Sequence, residues 1–216
     1  ADASIDCINL AGRIRSDGEL RDRNTVKVVM SREDRQDGST WGHFVGGRIG
    51  SLDQSRSVLV LPDGTAGFAD VFVNTGPADV TIDVDLASSL VDPVDILVPA
   101  TSTGGTYQVT GVRGSADHGV LAQVFASAAP AAMRPSLIAL QTLGGVSTVR
   151  YRITIPAGQR RTLVHFVVNL AAGQAAAAIA RAEQVRSASD PAIAAWLESL
   201  DPATIVNFPS GGGGQP

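Results

Sequence analysis

The residues best suited to metal binding or catalysis are three histidines (His43, His118 and His165) and a single cysteine, Cys7. Zinc and haem sites draw on several such ligands, commonly as pairs a few residues apart. Each histidine stands alone, and no second cysteine could join Cys7 in a metal site or an internal disulfide. The sequence therefore predicts neither a zinc site nor a haem site. For Cys7 it favours burial over a disulfide between chains.

Four aspartates in the segment DVDLASSLVDPVD are candidates for calcium, which binds oxygen ligands from loops. Asp83 and Asp85 alternate with apolar residues and so share the polar face of a strand, whereas Asp92 and Asp95 flank a proline turn. A solvated sheet face followed by turn caps accounts for the same residues without a metal. Calcium is thus only a weak candidate cofactor at these four positions.

Catalysis has no clear residue set in this sequence. Ser115, Asp117 and His118 lie together in RGSADHGV, but the members of a catalytic triad must meet in space from separate elements. A turn in which Asp117 caps backbone amides is the preferred interpretation. A pair of carboxylates for glycoside cleavage stays open, although glutamates are rare and scattered. We predict no catalytic residue.

His165 lies in the apolar stretch TIPAGQRRTLVHFVVNL. On a strand, Leu163, His165 and Val167 share one face, and the residues between them, also apolar, share the other. We therefore expect a central strand that is covered on both sides. In that setting His165 packs as a neutral residue with one hydrogen bond and does not act as a base.

Trp41 and His43, in the segment STWGHFVGG, are the candidate ligand-binding residues. An aromatic ring at the surface could stack on a sugar, but Trp41 fits a core position equally well. Net charge argues against nucleic acid as a partner, because it is −4 and the basic residues are scattered. No run approaches the roughly 18 apolar residues of a transmembrane helix. The first residues, ADASID, would fit either a mature terminus left after a signal peptide or an arbitrary boundary of the sequence, and the sequence does not separate the two.

The positions of the strands follow from alternation and turn residues. Val80, Ile82, Val84 and Leu86 alternate with polar residues, and NTGPAD precedes them, so Gly67 to Leu86 is predicted to be a hairpin. After Leu170 the chain becomes alanine-rich, which favours helix. Asp190 before Pro191 predicts an N-cap, and Asp201 before Pro202 repeats the signal. The glycines near the end have the composition of a flexible tail.

These elements predict an all-β fold, a large antiparallel β-sandwich with short C-terminal helices packed on it. We expect a single domain over residues 1–209, with N-terminal strands over 1–64, core strands over 65–170 and a helical segment over 171–209. Residues 210–216 are expected to form a flexible tail or linker.

Four segments in this order carry a family resemblance: VFVNTGPADVTIDVDL, DHGVLAQVFAS, VRYRITIPAGQRRTLVHFVVNL and WLESLDPATIVNFP. The pattern resembles accessory β-domains of large secreted, multidomain bacterial proteins, in which two hairpins, a strand and a terminal helix recur. Those domains are similar to the supersandwich of the galactose-mutarotase-like, carbohydrate-binding superfamily. The resemblance covers roughly residues 65 to 209. It implies the architecture alone, since the catalytic His and Glu of mutarotases have no counterpart.

From these observations we expect a non-catalytic extracellular or cell-surface module. Such a module would interact with itself or with neighbouring domains, and could form a filament or surface layer, because a sandwich presents sheet edges for pairing. A carbohydrate-binding module is the alternative, and a carbohydrate-active epimerase or lyase on the same scaffold is a third, less favoured one.

Overall fold

The computed structural model describes residues 13–16, 19–20, 29–34, 36, 38–89, 94–112, 119–141 and 146–208. Within these residues the chain is an all-β sandwich of two antiparallel sheets, which confirms the predicted fold class. The five-stranded sheet contains, in spatial order, β11 (Leu137–Gln141), β12 (Val146–Ile155), β7 (Val80–Ser89), β1 (Arg13–Ser16) and β2 (Glu19–Leu20). The eight-stranded sheet contains β3 (Val29–Asp34), β4 (Thr40–Ile49), β5 (Leu52–Val60), β6 (Thr65–Asn74), β13 (Arg160–Leu170), β10 (Val120–Val124), β9 (Tyr107–Val112) and β8 (Val94–Val98).

Two α-helices follow the last strand, α1 (Ala175–Arg186) and α2 (Pro191–Ser199). The Asp190 carboxylate accepts from the amides of Ala192 (2.8 Å) and Ile193 (3.2 Å), so the predicted N-cap is confirmed. Asp201 starts only a 3₁₀ turn, Pro202–Thr204, and its side chain makes no capping bond. A further 3₁₀ turn is Ala100–Thr103. No helix in the described part of the chain is long and apolar enough to cross a membrane.

Strand β13 lies at the centre of the eight-stranded sheet, between β6 and β10. Leu163 on one face packs into a cluster between the two sheets, with residues of β7 and β12. Val164 and Phe166 on the other face pack under the helices, where Phe166 meets the Trp196 ring edge to face at 5.7 Å. The prediction of a central strand covered on both sides is therefore confirmed.

The predicted hairpin over Gly67 to Leu86 is wrong. Strand β6 pairs with β5 and β13, whereas β7 pairs with β12 and β1 in the opposite sheet. The connection is thus an arch that crosses the sandwich, and both strands turn apolar side chains toward the same core. Alternation indicates which face of a strand is buried but not which strand lies beside it.

Strands β12 and β13 are also joined by an arch, although the resemblance implied a hairpin there. The two arches lie side by side. Buried Asn74 connects them, because its Nδ2 donates to the carbonyls of Ala78 (2.8 Å) and Ile155 (3.0 Å). The Ala157 amide also donates to the Asp79 carboxylate at 3.0 Å.

The segment after the helices completes the sheet. Along β13, strand β10 pairs with Phe166–Leu170 and does not extend to Thr162. At Thr162, Ile205 from the final segment pairs with β13 in a parallel bridge. Asn207 is fully buried, and its side chain bonds to the β13 backbone, accepting from the Val164 amide at 2.9 Å and donating to the Val164 carbonyl. The segment containing Asn207 therefore serves as a short extra partner for β13.

Candidate functional site

His165 lies inside the sandwich, with only 4% of its surface exposed. Its ring stacks on Phe68 with centroids 4.9 Å apart and an interplanar angle of 17°. The predicted packing of His165 is confirmed. Neither ring nitrogen has a hydrogen-bond partner among the described residues. Burial lowers the pKa of His165 to about 3; the Asp70 carboxylate opposes this effect and Arg56 adds to it. The imidazole is therefore neutral at physiological pH.

A buried ion pair lies beside His165 on the same face of the sheet, two residues further along the neighbouring strands. Arg56 on β5 holds Asp70 on β6 through two bonds, Nε–Oδ1 at 2.7 Å and Nη2–Oδ2 at 2.9 Å. Burial opposes the charged form of Arg56, but the attraction and hydrogen bonds of Asp70 outweigh it and raise the pKa of the guanidinium. A paired, fixed carboxylate of this kind suits a structural role, because both of its oxygens are occupied.

Other polar side chains between the sheets also form hydrogen bonds. Gln108 Nε2 donates to Gln123 Oε1 at 2.7 Å and to the Ser147 hydroxyl of the facing sheet at 3.1 Å. The Tyr151 hydroxyl donates to the Phe125 carbonyl, and burial raises the pKa of Tyr151. The cavity beside His165 measures about 10 Å³, room for about one water molecule. A sugar ring cannot enter this interior.

Trp41 and His43 lie on one face of β4, as their spacing of two requires. Trp41 is half-buried and packs against the cluster beneath the helices. His43 is exposed, and its Nδ1 lies 3.1 Å from the Ser57 hydroxyl on β5. The structure thus places the two predicted ligand-binding residues together at the surface, with the tryptophan partly used in the core.

The calcium candidates that the structure describes do not gather into one site. Asp85 is buried and accepts two bonds from Arg150 of β12 (2.6 and 2.8 Å), and Asp83 lies 3.9 Å from Arg152. Asp95 lies on β8, in the other sheet. Among the described residues, no three His, Cys, Asp or Glu side chains are grouped to hold a metal ion. Asp92, like Cys7, Ser115, Asp117, His118 and the tail at 210–216, lies outside the described residues.

Sequence reasoning missed an open cleft on the helix side of the large sheet. This helix cleft has a volume of about 590 Å³, which falls in the range of about 300 to about 1,000 Å³ typical of small-molecule sites. Its walls are the loop Ser127–Ala129, the end of α1 from Arg186 to Ala188, the outer side of α2, and the final segment at Pro202, Ile205 and Phe208. These four segments are far apart in sequence, so no local pattern could indicate the cleft.

The wall formed by the end of α1 has an unusual backbone. Ala188 adopts a left-handed conformation with φ of 50°, a position where helices usually place glycine. The amides of Ala188 and Ser189 donate to the carbonyls of Val185 (3.0 Å) and Gln184 (3.1 Å), which closes the helix in a Schellman motif. Asp201, next to the cleft residue Pro202, also has a positive φ of 62°. In the described part of the chain these are the two non-glycine residues with positive φ.

Two charged side chains line the helix cleft. Arg186 is held in place: its Nε bonds to Glu183, and its guanidinium lies over the Tyr107 ring at 5.7 Å from the centroid. Its Nη2 has no hydrogen-bond partner among the described residues. Glu198, on the exposed side of α2, likewise has no hydrogen bond or ion pair within the described part of the chain. The cleft thus offers a fixed donor and an unengaged acceptor above apolar walls.

Comparison with known proteins finds matches among solved structures only. No protein-family model matches the sequence, and no curated protein does. A candidate kojibiose phosphorylase from the human microbiome is similar over 88% of this chain and 26% of its own, with 14% identity and a TM-score of 0.57. A mutant of heparan sulfate lyase HepC from Pedobacter heparinus is similar over 74% of this chain and 24% of its own, with 11% identity and a TM-score of 0.51.

A candidate aldose 1-epimerase from Klebsiella pneumoniae also matches, with 14% identity over 82% of this chain and 64% of its own, at a TM-score of 0.45. At 14% and 11% identity, the likeness to the phosphorylase and to the lyase concerns the fold alone. The chain spans about a quarter of the length of the phosphorylase and lyase structures. A sandwich of this fold therefore occurs as one part of each of these two longer chains.

Proposed function

We propose that the chain is a non-catalytic β-sandwich module of a larger secreted protein that binds or acts on carbohydrate. The observation that carries this proposal is the closed interior. His165 is neutral and buried beside a cavity of about 10 Å³, and the Asp70 carboxylate is engaged on both oxygens by Arg56. An acid or base must reach its substrate within hydrogen-bond distance, and these groups do not face an open cleft.

The proposed partners are neighbouring domains or further copies of the chain, at the cell surface or outside the cell. The edge strand β8 supports this part of the proposal. Ile96 and Leu97 are 46% and 44% exposed there, at one end of the described eight-stranded sheet. Exposed apolar residues on a sheet edge favour pairing with another strand or domain.

Glycan binding is the second candidate function, and the position of Trp41 favours it. An aromatic ring at the surface beside the exposed imidazole of His43 offers stacking and a hydrogen bond on one face of β4. An epimerase or lyase on this scaffold is the third. It would need a reactive group that substrate can reach.

Three measurements on the purified chain separate these functions. Light scattering over a concentration series should show association, and Ile96→Lys with Leu97→Lys should abolish it. A glycan array tests the second candidate, with Trp41→Ala as the variant expected to lose signal and His43→Gln to weaken it. Turnover of an aldose or of heparan sulfate would overturn the non-catalytic proposal.

A further inference from the structure

The helix cleft combines three features. It is open, it is large enough for a small molecule, and both left-handed non-glycine residues described in the chain lie at or beside its wall. Backbone strain of this kind costs about 1 to 3 kcal/mol and tends to cluster where ligands are clamped. The cleft also lies on the helix side of the large sheet, away from the closed interior around His165.

We propose that the helix cleft binds a neutral disaccharide unit, an inference that rests on the proposed carbohydrate-related function. Saccharides present apolar C–H faces together with hydroxyl groups that both donate and accept hydrogen bonds. The cleft matches this chemistry: Ala128, Ala194 and Pro202 provide accessible apolar wall above the buried Leu197 and Phe208. Glu198 provides an acceptor and Arg186 a donor. A few polar groups on an apolar lining are the usual composition of a small-molecule site.

Charge selects a neutral saccharide over a sulfated or carboxylated one. Among the described residues, the charged groups that line the cleft are the Arg186 guanidinium and the Glu198 carboxylate. The Glu183 carboxylate beside them already pairs with the guanidinium. A polyanion would therefore meet the unpaired carboxylate of Glu198 without a compensating free cation. Like charges brought together in a partly desolvated cleft disfavour binding.

Arg186 of the cleft is held in place before a ligand binds, which should make the site selective. The stacking of Arg186 on Tyr107 and its bond to Glu183 hold the guanidinium in place before any ligand arrives. The Tyr107 hydroxyl donates to Glu183 at 2.8 Å, which fixes the carboxylate in turn. Groups that are already ordered lose less entropy on binding.

The test is a titration of the full ¹⁵N-labelled chain with kojibiose and with maltose, followed by chemical-shift mapping. We expect saturable shifts at Arg186 to Ala188, along α2 and at Phe208. Glu198→Ala should weaken binding about 10-fold, the loss of one hydrogen bond to a charged group. Ala128→Trp, at an exposed wall position, should fill the cleft and abolish binding. Asp53→Asn removes a carboxylate on β5, outside the cleft, and should leave the affinity unchanged.

Other outcomes overturn the inference in distinguishable ways. Binding that persists in Glu198→Ala and Ala128→Trp but is lost in Trp41→Ala places the sugar on β4, which leaves the carbohydrate-related function intact. Preference for a heparan sulfate disaccharide at the cleft contradicts the charge argument. No saturable shift with any of these saccharides, in a folded chain, overturns the cleft proposal; the glycan array tests the site at Trp41 separately.

Discussion

Replacing His165 with leucine should flatten the pH dependence of stability. Lowering the pKa of a histidine from 6.5 to about 3 corresponds to about 5 kcal/mol in favour of the neutral form. In the unfolded chain the His165 imidazole binds a proton below about pH 6.5, whereas in the folded chain it stays neutral until the pH falls to about 3. The free energy of unfolding is therefore unaffected by this residue above about pH 6.5, and it decreases as the pH falls from 6.5 toward 3.

Between pH 7 and pH 5 this linkage amounts to about 2 kcal/mol, because the unfolded imidazole becomes mostly protonated over that interval. Urea unfolding, followed by the fluorescence of buried Trp196, gives the free energy of unfolding at each pH. His165→Leu should lose about 2 kcal/mol less than the wild type over the same interval. Carboxylates titrate in both proteins, so their contribution cancels in the difference.

His43→Gln is the matched control, since it removes an exposed imidazole from β4. We expect it to keep the wild-type slope. A change of packing in His165→Leu shifts its stability equally at both pH values and leaves the comparison valid. If His165→Leu and the wild type lose the same free energy between pH 7 and pH 5, the reasoning about the buried neutral histidine fails.

Three further predictions concern stability, each measured as the free energy of unfolding in urea at pH 7. Arg56→Met leaves the buried Asp70 charge unpaired and should cost about 3 to 5 kcal/mol, most of which the double variant Arg56→Met with Asp70→Leu should recover; an equal cost in both would refute this. Asn207→Ala leaves buried backbone groups of β13 and the Phe125 carbonyl without a partner and should cost about 2 to 4 kcal/mol, and a cost under about 1 kcal/mol would contradict the bridging role. Ala188→Gly relieves a left-handed alanine and should stabilise by about 1 kcal/mol, whereas a loss would mean that the methyl group's packing outweighs the strain.

The faces of the strands could be predicted from the sequence, but the partners of the strands could not. Ile82 and Val84 point into the core as their alternation predicted, and Asp85 lies on the other face. The same alternation suits a hairpin and an arch equally, so β6 and β7 were assigned to one sheet. The two arches are joined by Asn74, which bonds to Ile155, 81 residues away. A contact over that distance cannot be read from a local sequence pattern.

The candidate site divides in the same way. Burial of His165 followed from the apolar residues on both faces of β13, and the Asp190 cap followed from a local motif. The stacking of His165 on Phe68 could not be predicted, because Phe68 lies on another strand, whose position beside β13 the sequence does not give. The helix cleft depends on four separate segments.

The central claim is that the polar groups inside the sandwich hold the fold together and perform no chemistry. The most direct test incubates the purified chain with kojibiose and phosphate, with an aldose, and with heparan sulfate, and follows products by mass spectrometry and anomeric exchange by NMR. We predict no conversion above a protein-free control. Conversion that Arg56→Lys or His165→Leu abolishes, in a chain that still folds, would contradict the claim.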